Sequence, residues 1–191
     1  VIAISGMTNA VNILDGFNGL ASGTMVVILS MFAVMAHQVQ DYELLALCLM
    51  LAGSLAGFML LNYPLGKIFL GDSGAYFIGF LVAWVAILLP VRNETISPWA
   101  ALLVCAYPVT EVLYSICRRL LGQQHAGQPD SDHLHSLIKK RLVRRYFSSL
   151  QAWKKNAMVA PSIWFYSICT GLLAKSFPND ILILAGCYVG F

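Results

Sequence analysis

The sequence predicts an all-α fold, a polytopic bundle of transmembrane helices. Of its 191 residues, 59% are hydrophobic and only 11% are charged, whereas a soluble domain is about half apolar and a quarter charged. The apolar residues fall in long runs, each roughly the length that a helix needs to cross a bilayer. The formal net charge of +3 is too small to indicate a nucleic-acid partner.

Five runs are long enough to be complete spans. Four carry no charge, and the fifth is interrupted only by Glu111. The five runs are residues 20–36, 44–61, 75–91, 100–117 and 158–174. Residues 1–13 and 181–191 are shorter, and we expect two partial spans there. We therefore expect one integral-membrane domain over residues 1–191, which is a fragment of a longer protein whose N-terminal spans are missing.

Two minor patterns concern packing. Gly53 and Gly57 lie four residues apart on one predicted span, where small residues either let two helices approach closely or occur by chance. The 5 cysteines show no CxxC motif and no paired spacing. We expect them to be small buried apolar side chains rather than metal ligands or disulfides.

The positive charges predict the orientation of the spans, because cytoplasmic loops are enriched in Lys and Arg. Nine of the 12 Lys and Arg residues lie in residues 118–156, so we expect this segment to be a basic cytoplasmic loop. Counting spans backwards places the turns at Asp15 and Asp72 on the same side, and Arg92 on the opposite side.

The first polar stretch on this cytoplasmic side is NAVNILDGFNGL, residues 9–20. Asn9 and Asn12 share a helix face because they are three residues apart, and Asp15-Gly16 is a turn dipeptide. Polar side chains near the membrane are costly unless they are paired or functional. The stretch is therefore either a plain interhelical turn or part of a binding site.

The second stretch is FLGDSG, residues 69–74. Gly71 and Gly74 can take positive φ and let a ligand approach the backbone. Asp72 stands at the start of a span, where it could act as an N-cap. It could also hold Mg²⁺, whose other ligands are commonly phosphate oxygens and waters. The paired glycines favour the metal.

The third stretch is GQPDSDHLHSLIKKRL, residues 127–142. Apolar residues recur at helical spacing from residue 134 to 142 and predict a short amphipathic helix with Asp130, Ser131 or Asp132 as its N-cap. His133 and His135 fall in its first turn. Either this is a basic helix lying on anionic lipid, or the histidines and the helix N-terminus bind phosphate. A zinc site is disfavoured, because no cysteine partner or HExxH motif is present.

In this order, the three stretches resemble the motifs of bacterial polyprenyl-phosphate N-acetylhexosamine-1-phosphate transferases, glycosyltransferase family 4. The first is similar to N-x-x-N-x-x-D-G-x-[DN]-G-L, the second to G-D-x-G, and the third to D-R-x-H-[LI]-H-H. The resemblance covers residue 9 to about residue 142. Ser131 and Ser136 depart from the third pattern.

The resemblance implies an Mg²⁺-dependent enzyme, with Mn²⁺ as a substitute. Such an enzyme transfers N-acetylhexosamine-1-phosphate from a UDP-N-acetylhexosamine to undecaprenyl phosphate and releases UMP, as the first membrane step of O-antigen or other envelope polysaccharide synthesis. It implies a multi-pass protein of the bacterial inner membrane, in contact with membrane lipids, with its site facing the cytoplasm. A second apolar run after the histidines favours the O-antigen branch over the peptidoglycan translocase.

The resemblance also implies roles for individual residues. The expected catalytic residues are Asp15, Asp72 (also the Mg²⁺ ligand) and His133, and the expected substrate-binding residues are Asn12, Asn18, Asp130 and His135. Glu111 stands where relatives usually carry Asp, and either a structural ion pair or a functional role would explain it. The family's acidic D-D-x-x-D segment does not occur in residues 1–191, so we expect these residues alone to be inactive.

A membrane transporter and a non-catalytic membrane scaffold are the alternative classes of function. A membrane transporter would show internal repeats and polar or broken helices near the membrane midplane, whereas the polar stretches here collect at one face. A non-catalytic membrane scaffold would account for the spans. It would leave Asp72 between its glycines, with the histidines on the same side, without an explanation.

The charge asymmetry gives a testable topology. Single cysteines introduced into a cysteine-free, full-length gene product should react with a membrane-impermeant reagent from the periplasm at position 92 but not at positions 15, 72 or 133. The physical reason is the excess of positive charge that holds residues 118–156 in the cytoplasm. Periplasmic labelling at position 132 would contradict both the topology and the idea of one shared site.

Overall fold

The computed structural model describes residues 1–121 and 133–190, and every regular element in them is helical, which confirms the predicted all-α class. The first six helices are α1 (Ile2–Leu14), α2 (Leu20–Gln38), α3 (Tyr42–Asn62), α4 (Gly71–Arg92), α5 (Pro98–Val104) and α6 (Ala106–Leu121). The remainder are α7 (Leu134–Ile138), a π-helical turn (Lys139–Val143), α8 (Arg144–Tyr146), α9 (Ala152–Ala157), α10 (Ala160–Ser176) and α11 (Ile181–Gly190).

Four helical segments are long and apolar enough to cross a membrane. They are α2, α3, α4 and the continuous segment Ala152–Ser176, which contains α9 and α10. α5 and α6 pass the same test only as a pair, with a bend of 81° between them. The described helices thus number four or five candidate spans, in agreement with the five complete spans that the apolar runs predict.

The bend between α5 and α6 is a feature that the apolar run did not reveal. The two helices meet at Cys105, three residues before Pro108. Proline has no N–H, so Pro108 cannot donate a helical hydrogen bond to the carbonyl of Val104, and its ring crowds that carbonyl. The predicted straight span over residues 100–117 is therefore broken near its start.

α2 is the central helix of the bundle. It packs against α3 on one side and α10 on the other, whereas α1 packs mainly against α4 and also against α6. The spanning stretch of α2 is 67% buried, but that of α3 is only 22% buried. The exposed face of α3 carries apolar side chains such as Leu49, Met50 and Leu60, which is the composition expected of a lipid-facing surface.

Close helix approach occurs at glycines other than the predicted pair. Gly53 and Gly57 are exposed, and a Cβ built on either would meet no atom within 4 Å, so they bring no described helices together. Gly79 of α4 does so instead. A Cβ there would lie 2.7 Å from the Cα of Thr8 on α1.

The cysteines are all free within the described residues. Cys48 and Cys105 are buried, as predicted, and Cys169 and Cys187 are partly buried. The prediction is wrong for Cys117, which is exposed because it lies in the last turns of α6, where Ile116 and Leu120 are exposed as well.

The contact at Gly79 gives a prediction with a matched control. Gly79→Ala should lower the free energy of unfolding by about 1–3 kcal/mol, because its methyl group must push the backbones of α1 and α4 apart. Gly53→Ala makes the same change inside an exposed helix face and should be neutral or slightly stabilising, since alanine is the better helix former. Thermal unfolding of the purified proteins in detergent measures both. Equal midpoints for the two variants would contradict this packing.

Candidate functional site

The five residues between α1 and α2, 15–19, form a turn on which the three polar stretches converge. Its last residue, Gly19, has φ of +73°, a conformation that other residues adopt only with strain. A Cβ on Gly19 would lie 2.6 Å from Cδ2 of the Tyr63 ring. The turn is therefore pressed against the end of α3, and only glycine fits at this position.

Asn62 holds the turn to the end of α3. Its Oδ1 accepts hydrogen bonds from the N–H of Gly19 at 2.8 Å and from the hydroxyl of Ser22 at 2.7 Å. Its Nδ2 donates to the carbonyl of Ile68 at 2.7 Å. Both polar atoms of the side chain are therefore hydrogen-bonded, and the residue is only 1% exposed. Sequence reasoning missed this residue, although an amide at the end of a long apolar run is a signal for it.

The turn also satisfies the start of α4. Oδ2 of Asp15 accepts a hydrogen bond from the N–H of Gly71 at 2.7 Å. α4 begins at Gly71, and the N-cap position is Leu70, which has no side-chain capping bond. Asp72 lies within the first turn, so the interpretation of Asp72 as the N-cap is wrong. Of the two predicted glycines, Gly71 takes positive φ (+65°) and Gly74 does not.

Two carboxylates, those of Asp15 and Asp72, are neighbours at this edge of the turn. Burial raises the pKa of Asp15, hydrogen bonds from the N–H groups of Gly71 and Leu70 oppose the rise, and the charge of Asp72 adds to it. Asp72 is exposed. Beside them, Nδ2 of Asn12 donates to the hydroxyl of Tyr76 at 3.3 Å. The first two polar stretches therefore form one acidic patch.

The histidine stretch begins its helix later than the sequence predicts. α7 starts at Leu134, and the N-cap position is His133, whose side chain makes no capping bond. The predicted N-caps Asp130, Ser131 and Asp132 lie outside the described residues, and the prediction is wrong because the N-cap position is His133. The first amide of the helix, that of Leu134, donates to Oε1 of Glu111 at 3.1 Å. The expected helix over residues 134–142 is α7 followed by the π-helical turn.

Glu111 of α6 is completely buried and accepts from four donors. Oε1 contacts Nδ1 of His133 at 3.1 Å as well as the Leu134 amide. Oε2 contacts Nδ1 of His135 at 3.3 Å and the hydroxyl of Tyr107 at 3.2 Å. Each carboxylate oxygen of Glu111 therefore faces an imidazole ring, which forms an ion pair with it when the ring is protonated.

The two imidazole rings stack on each other, and one of them contacts the turn. Their centroids are 5.4 Å apart, with 11° between the planes. The edge of Phe17, in the turn, meets His135 with a centroid distance of 4.8 Å. His135 is enclosed, with 2% of its side chain exposed, whereas 14% of the His133 side chain is exposed. The histidine stretch is therefore joined to the turn through Phe17.

A second connection runs through a chain of amides. Nζ of Lys139 donates to Oδ1 of Asn156 at 2.9 Å, and Nδ2 of Asn156 donates to Oδ1 of Asn18 at 2.9 Å. Nδ2 of Asn18 donates to the carbonyl of Pro64 at 2.7 Å. The Asn18 amide is thus engaged inside the protein on both of its atoms. Its substrate-binding role stays a prediction beside this evident structural one.

The structure brings most of the predicted site residues to this one turn. Asn12, Asp15 and Asp72 lie at its α4 edge. Asn18 contacts Pro64 and Asn156 of α9, and His133 and His135 lie against α6. Asp130 lies outside the described residues. Glu111 and Asn62 complete the arrangement.

The described residues contain no cluster of three His, Cys, Asp or Glu side chains arranged to hold a metal ion. Mg²⁺ in phosphate-binding sites uses only one or two carboxylates, with substrate phosphates and waters as its other ligands. The pair formed by Asp15 and Asp72 suits that habit. It does not suit an all-protein cage, nor the zinc site that the sequence already disfavours.

Comparison with known proteins gives a family match. Residues 1–90 match the family described as glycosyl transferase family 4. A probable undecaprenyl-phosphate N-acetylglucosaminyl 1-phosphate transferase of Bacillus subtilis is 35% identical over 136 residues, covering 71% of this chain and 38% of the relative.

Two further relatives belong to different branches. An undecaprenyl-phosphate alpha-N-acetylglucosaminyl 1-phosphate transferase of Yersinia pestis is 30% identical over 158 residues, which are 80% of this chain and 42% of the relative. A phospho-N-acetylmuramoyl-pentapeptide-transferase of Lactococcus lactis subsp. cremoris is 40% identical over 113 residues, which are 59% of this chain and 32% of the relative. The aligned part of the chain thus spans between a third and about two fifths of these relatives.

Proposed function

The chain belongs to glycosyl transferase family 4, and from this premise we propose that it forms the cytoplasmic-side catalytic region of an enzyme of the bacterial inner membrane. The enzyme transfers N-acetylhexosamine-1-phosphate from a UDP-sugar to undecaprenyl phosphate and releases UMP. The observation that carries the proposal is the convergence of an acidic patch and a histidine pair on the single turn at residues 15–19.

This convergence suits phosphoryl transfer for a physical reason. The reaction is mostly a matter of positioning two phosphates and offsetting their negative charge. The acidic patch includes Asp15 at the start of the turn, and the histidines contact the turn through Phe17. A nucleotide diphosphate and a lipid phosphate that meet over the turn would be within reach of both groups.

Asp72 is the residue that we assign to Mg²⁺, with Asp15 beside it. Asp72 is exposed at the start of α4 and makes no hydrogen bond within the described residues, so its oxygens are available to a ligand. The charge of Asp72 also disfavours ionisation of Asp15, and a divalent cation between them would relieve that repulsion. When bound, the metal supplies charge neutralisation for the phosphates.

The names and extents of the relatives support a GlcNAc-type donor over the muramoyl-pentapeptide donor. The alignments with the two N-acetylglucosaminyl 1-phosphate transferases cover 71% and 80% of this chain, against 59% for the pentapeptide transferase. Synthesis of an envelope polysaccharide is the pathway class that would use this product.

The direct test is a substrate panel. The full-length gene product, reconstituted in vesicles with undecaprenyl phosphate and Mg²⁺, is given UDP-GlcNAc, UDP-GalNAc or UDP-MurNAc-pentapeptide, and release of UMP is measured. We expect release with a UDP-N-acetylhexosamine. Absence of UMP with every donor would overturn the proposed function, and release only with the pentapeptide donor would overturn the donor assignment.

Asp72→Asn should abolish nearly all transfer in the reconstituted protein while the protein still folds and inserts. Asparagine keeps the size of the side chain but loses the charge that a hard cation requires. Binding of Mn²⁺, measured by electron paramagnetic resonance, should weaken in parallel, and extra Mg²⁺ should rescue poorly.

Asp180→Asn is the matched control. Asp180 is an exposed acid whose Oδ1 accepts from the amide of Ile183 in α11, and asparagine caps a helix equally well. We expect this variant to keep its transfer rate and its Mn²⁺ affinity. Near-normal turnover and metal affinity in Asp72→Asn would contradict the metal assignment.

His133→Ala should reduce transfer by about 10²-fold or more, the usual scale for loss of a positioned proton-transfer or phosphate-binding group. His37→Ala is the matched control, because His37 is exposed in the last turn of α2, at the opposite end of that helix from the turn. Lys139 is unsuitable as a control, since it supports Asn156. Wild-type activity in His133→Ala would favour the alternative that this segment only lies on anionic lipid.

A further inference from the structure

We propose that Glu111 is the positioning residue of the histidine pair. It holds both rings by Nδ1, so that Nε2 of His133 faces the substrate phosphates. His135 packs behind His133 and fixes the plane of its ring. This inference rests on the proposed transfer function. The inference assigns different roles to His133 and His135, which occur together in the motif. It also assigns a role to Glu111, which lies outside the motif.

The Glu111 carboxylate is saturated with hydrogen-bond donors. Two carboxylate oxygens offer about four acceptor positions, and four donors approach them at 3.1–3.3 Å. The group has therefore no acceptor position left for a metal ion or a substrate. Its buried position in α6 agrees with this, so Glu111 acts through the groups that it holds.

The Glu111 carboxylate also determines which nitrogen of each histidine ring carries the hydrogen. A carboxylate can only accept, so each Nδ1 that approaches it must carry a hydrogen. An unprotonated Nδ1 would set a lone pair against a buried negative oxygen, and a buried charge without donors is costly. Glu111 thereby selects the Nδ1–H form of both rings, and Nε2 is the ring nitrogen left outside the contact. A hydrogen bond to one imidazole nitrogen sets the chemistry of the other.

The two histidine rings differ in their contacts and in their exposure. His135 is enclosed between His133, which stacks on it, and Phe17, which meets it edge-on, and only 2% of its side chain is exposed. His133 lies on the outer side of the stack, with 14% of its side chain exposed. A substrate phosphate can therefore approach His133, whereas His135 fixes the plane of its neighbour and ties the pair to the turn.

Other donors near the rings do not replace Glu111. The hydroxyl of Ser115 lies 3.2 Å from Nδ1 of His133, but a hydroxyl can donate or accept and so selects no form of the ring. The hydroxyl of Tyr107 lies 3.5 Å from Nδ1 of His135, at the limit of a hydrogen bond. Only the carboxylate contacts both rings and fixes the direction of both hydrogen bonds.

The test reads the form of the rings directly. The full-length protein, labelled with ¹⁵N-histidine and reconstituted in lipid nanodiscs, is studied by solid-state NMR at a pH where the rings are neutral, and His133 and His135 are assigned by difference with single His→Gln variants. We expect both rings to carry the hydrogen on Nδ1. The Nε2–H form on His133 of the wild-type protein would overturn the proposal without any variant being made.

Glu111→Gln then tests the consequence. A glutamine amide offers an acceptor to one ring but an N–H₂ donor to the other, so one of the two histidines should change to the Nε2–H form. Transfer should fall about 10- to 100-fold, the range found when a partner that orients a histidine is lost, with the loss in kcat per correctly folded molecule. Glu43→Gln makes the same change in an exposed acid that pairs with Arg92, far from the rings, and should leave both ring forms and the transfer rate unchanged.

The outcomes separate this inference from the function on which it rests. Transfer that is unchanged in Glu111→Gln, or a loss of transfer with both rings still in the Nδ1–H form, would overturn the inference alone. A wild-type protein that shows the expected ring forms but transfers no sugar phosphate would overturn the proposed function. Thermal unfolding of each variant corrects the rates for the fraction of folded protein.

Discussion

The arrangement of the site depends on the hydrogen bonds of the turn at residues 15–19. Asn62 satisfies the Gly19 amide from α3, Asp15 satisfies the Gly71 amide at the start of α4, and Asn18 reaches Pro64 and Asn156. Some polar groups at the end of a membrane bundle are buried away from water, and each of them needs a hydrogen-bond partner within the protein because burial without a partner costs free energy. Each bond that meets this requirement also fixes a neighbouring segment against the turn. The same contacts that make the turn stable therefore place the acidic patch.

A second buried polar centre places the histidines by the same principle. Glu111 is the one charged residue of the run 100–117 and is completely buried, and such a charge persists only where donors surround it. Its four donors come from α6 and from the segment that opens α7. The start of α7, from His133 to His135, is thereby held against α6. Phe17 and Lys139 then connect it to the turn, so the two polar centres form one site with an acidic side and an imidazole side.

Sequence reasoning succeeded where local chemistry decides and failed where a partner distant in the chain decides. The apolar runs locate the spans to within a few residues, and Gly71 takes the positive φ that a Gly-Asp turn predicts. The expected N-cap of α7 is wrong, since Glu111, more than twenty residues earlier, supplies the acceptor. The bend at Cys105 was not predicted, because the hydropathy of a run does not depend on the missing N–H of Pro108. The glycine spacing of α3 allowed either a close approach or a chance pattern, and the close approach of α4 to α1 occurs at Gly79 instead.

The sequence by itself determined the class of the molecule: an all-α membrane bundle, the membership of a transferase family, and the residue types that such chemistry needs. These follow from composition, run length and motif order, which are local properties of the chain. Only the tertiary structure decided which polar residues meet. It showed that Asp15, not Asp72, satisfies the start of α4, that the Asn18 amide is used internally, and that one buried carboxylate holds both histidines. The physical reason is that a hydrogen bond depends on the position and direction of two groups, and for residues far apart in the chain only the packing of the helices sets both.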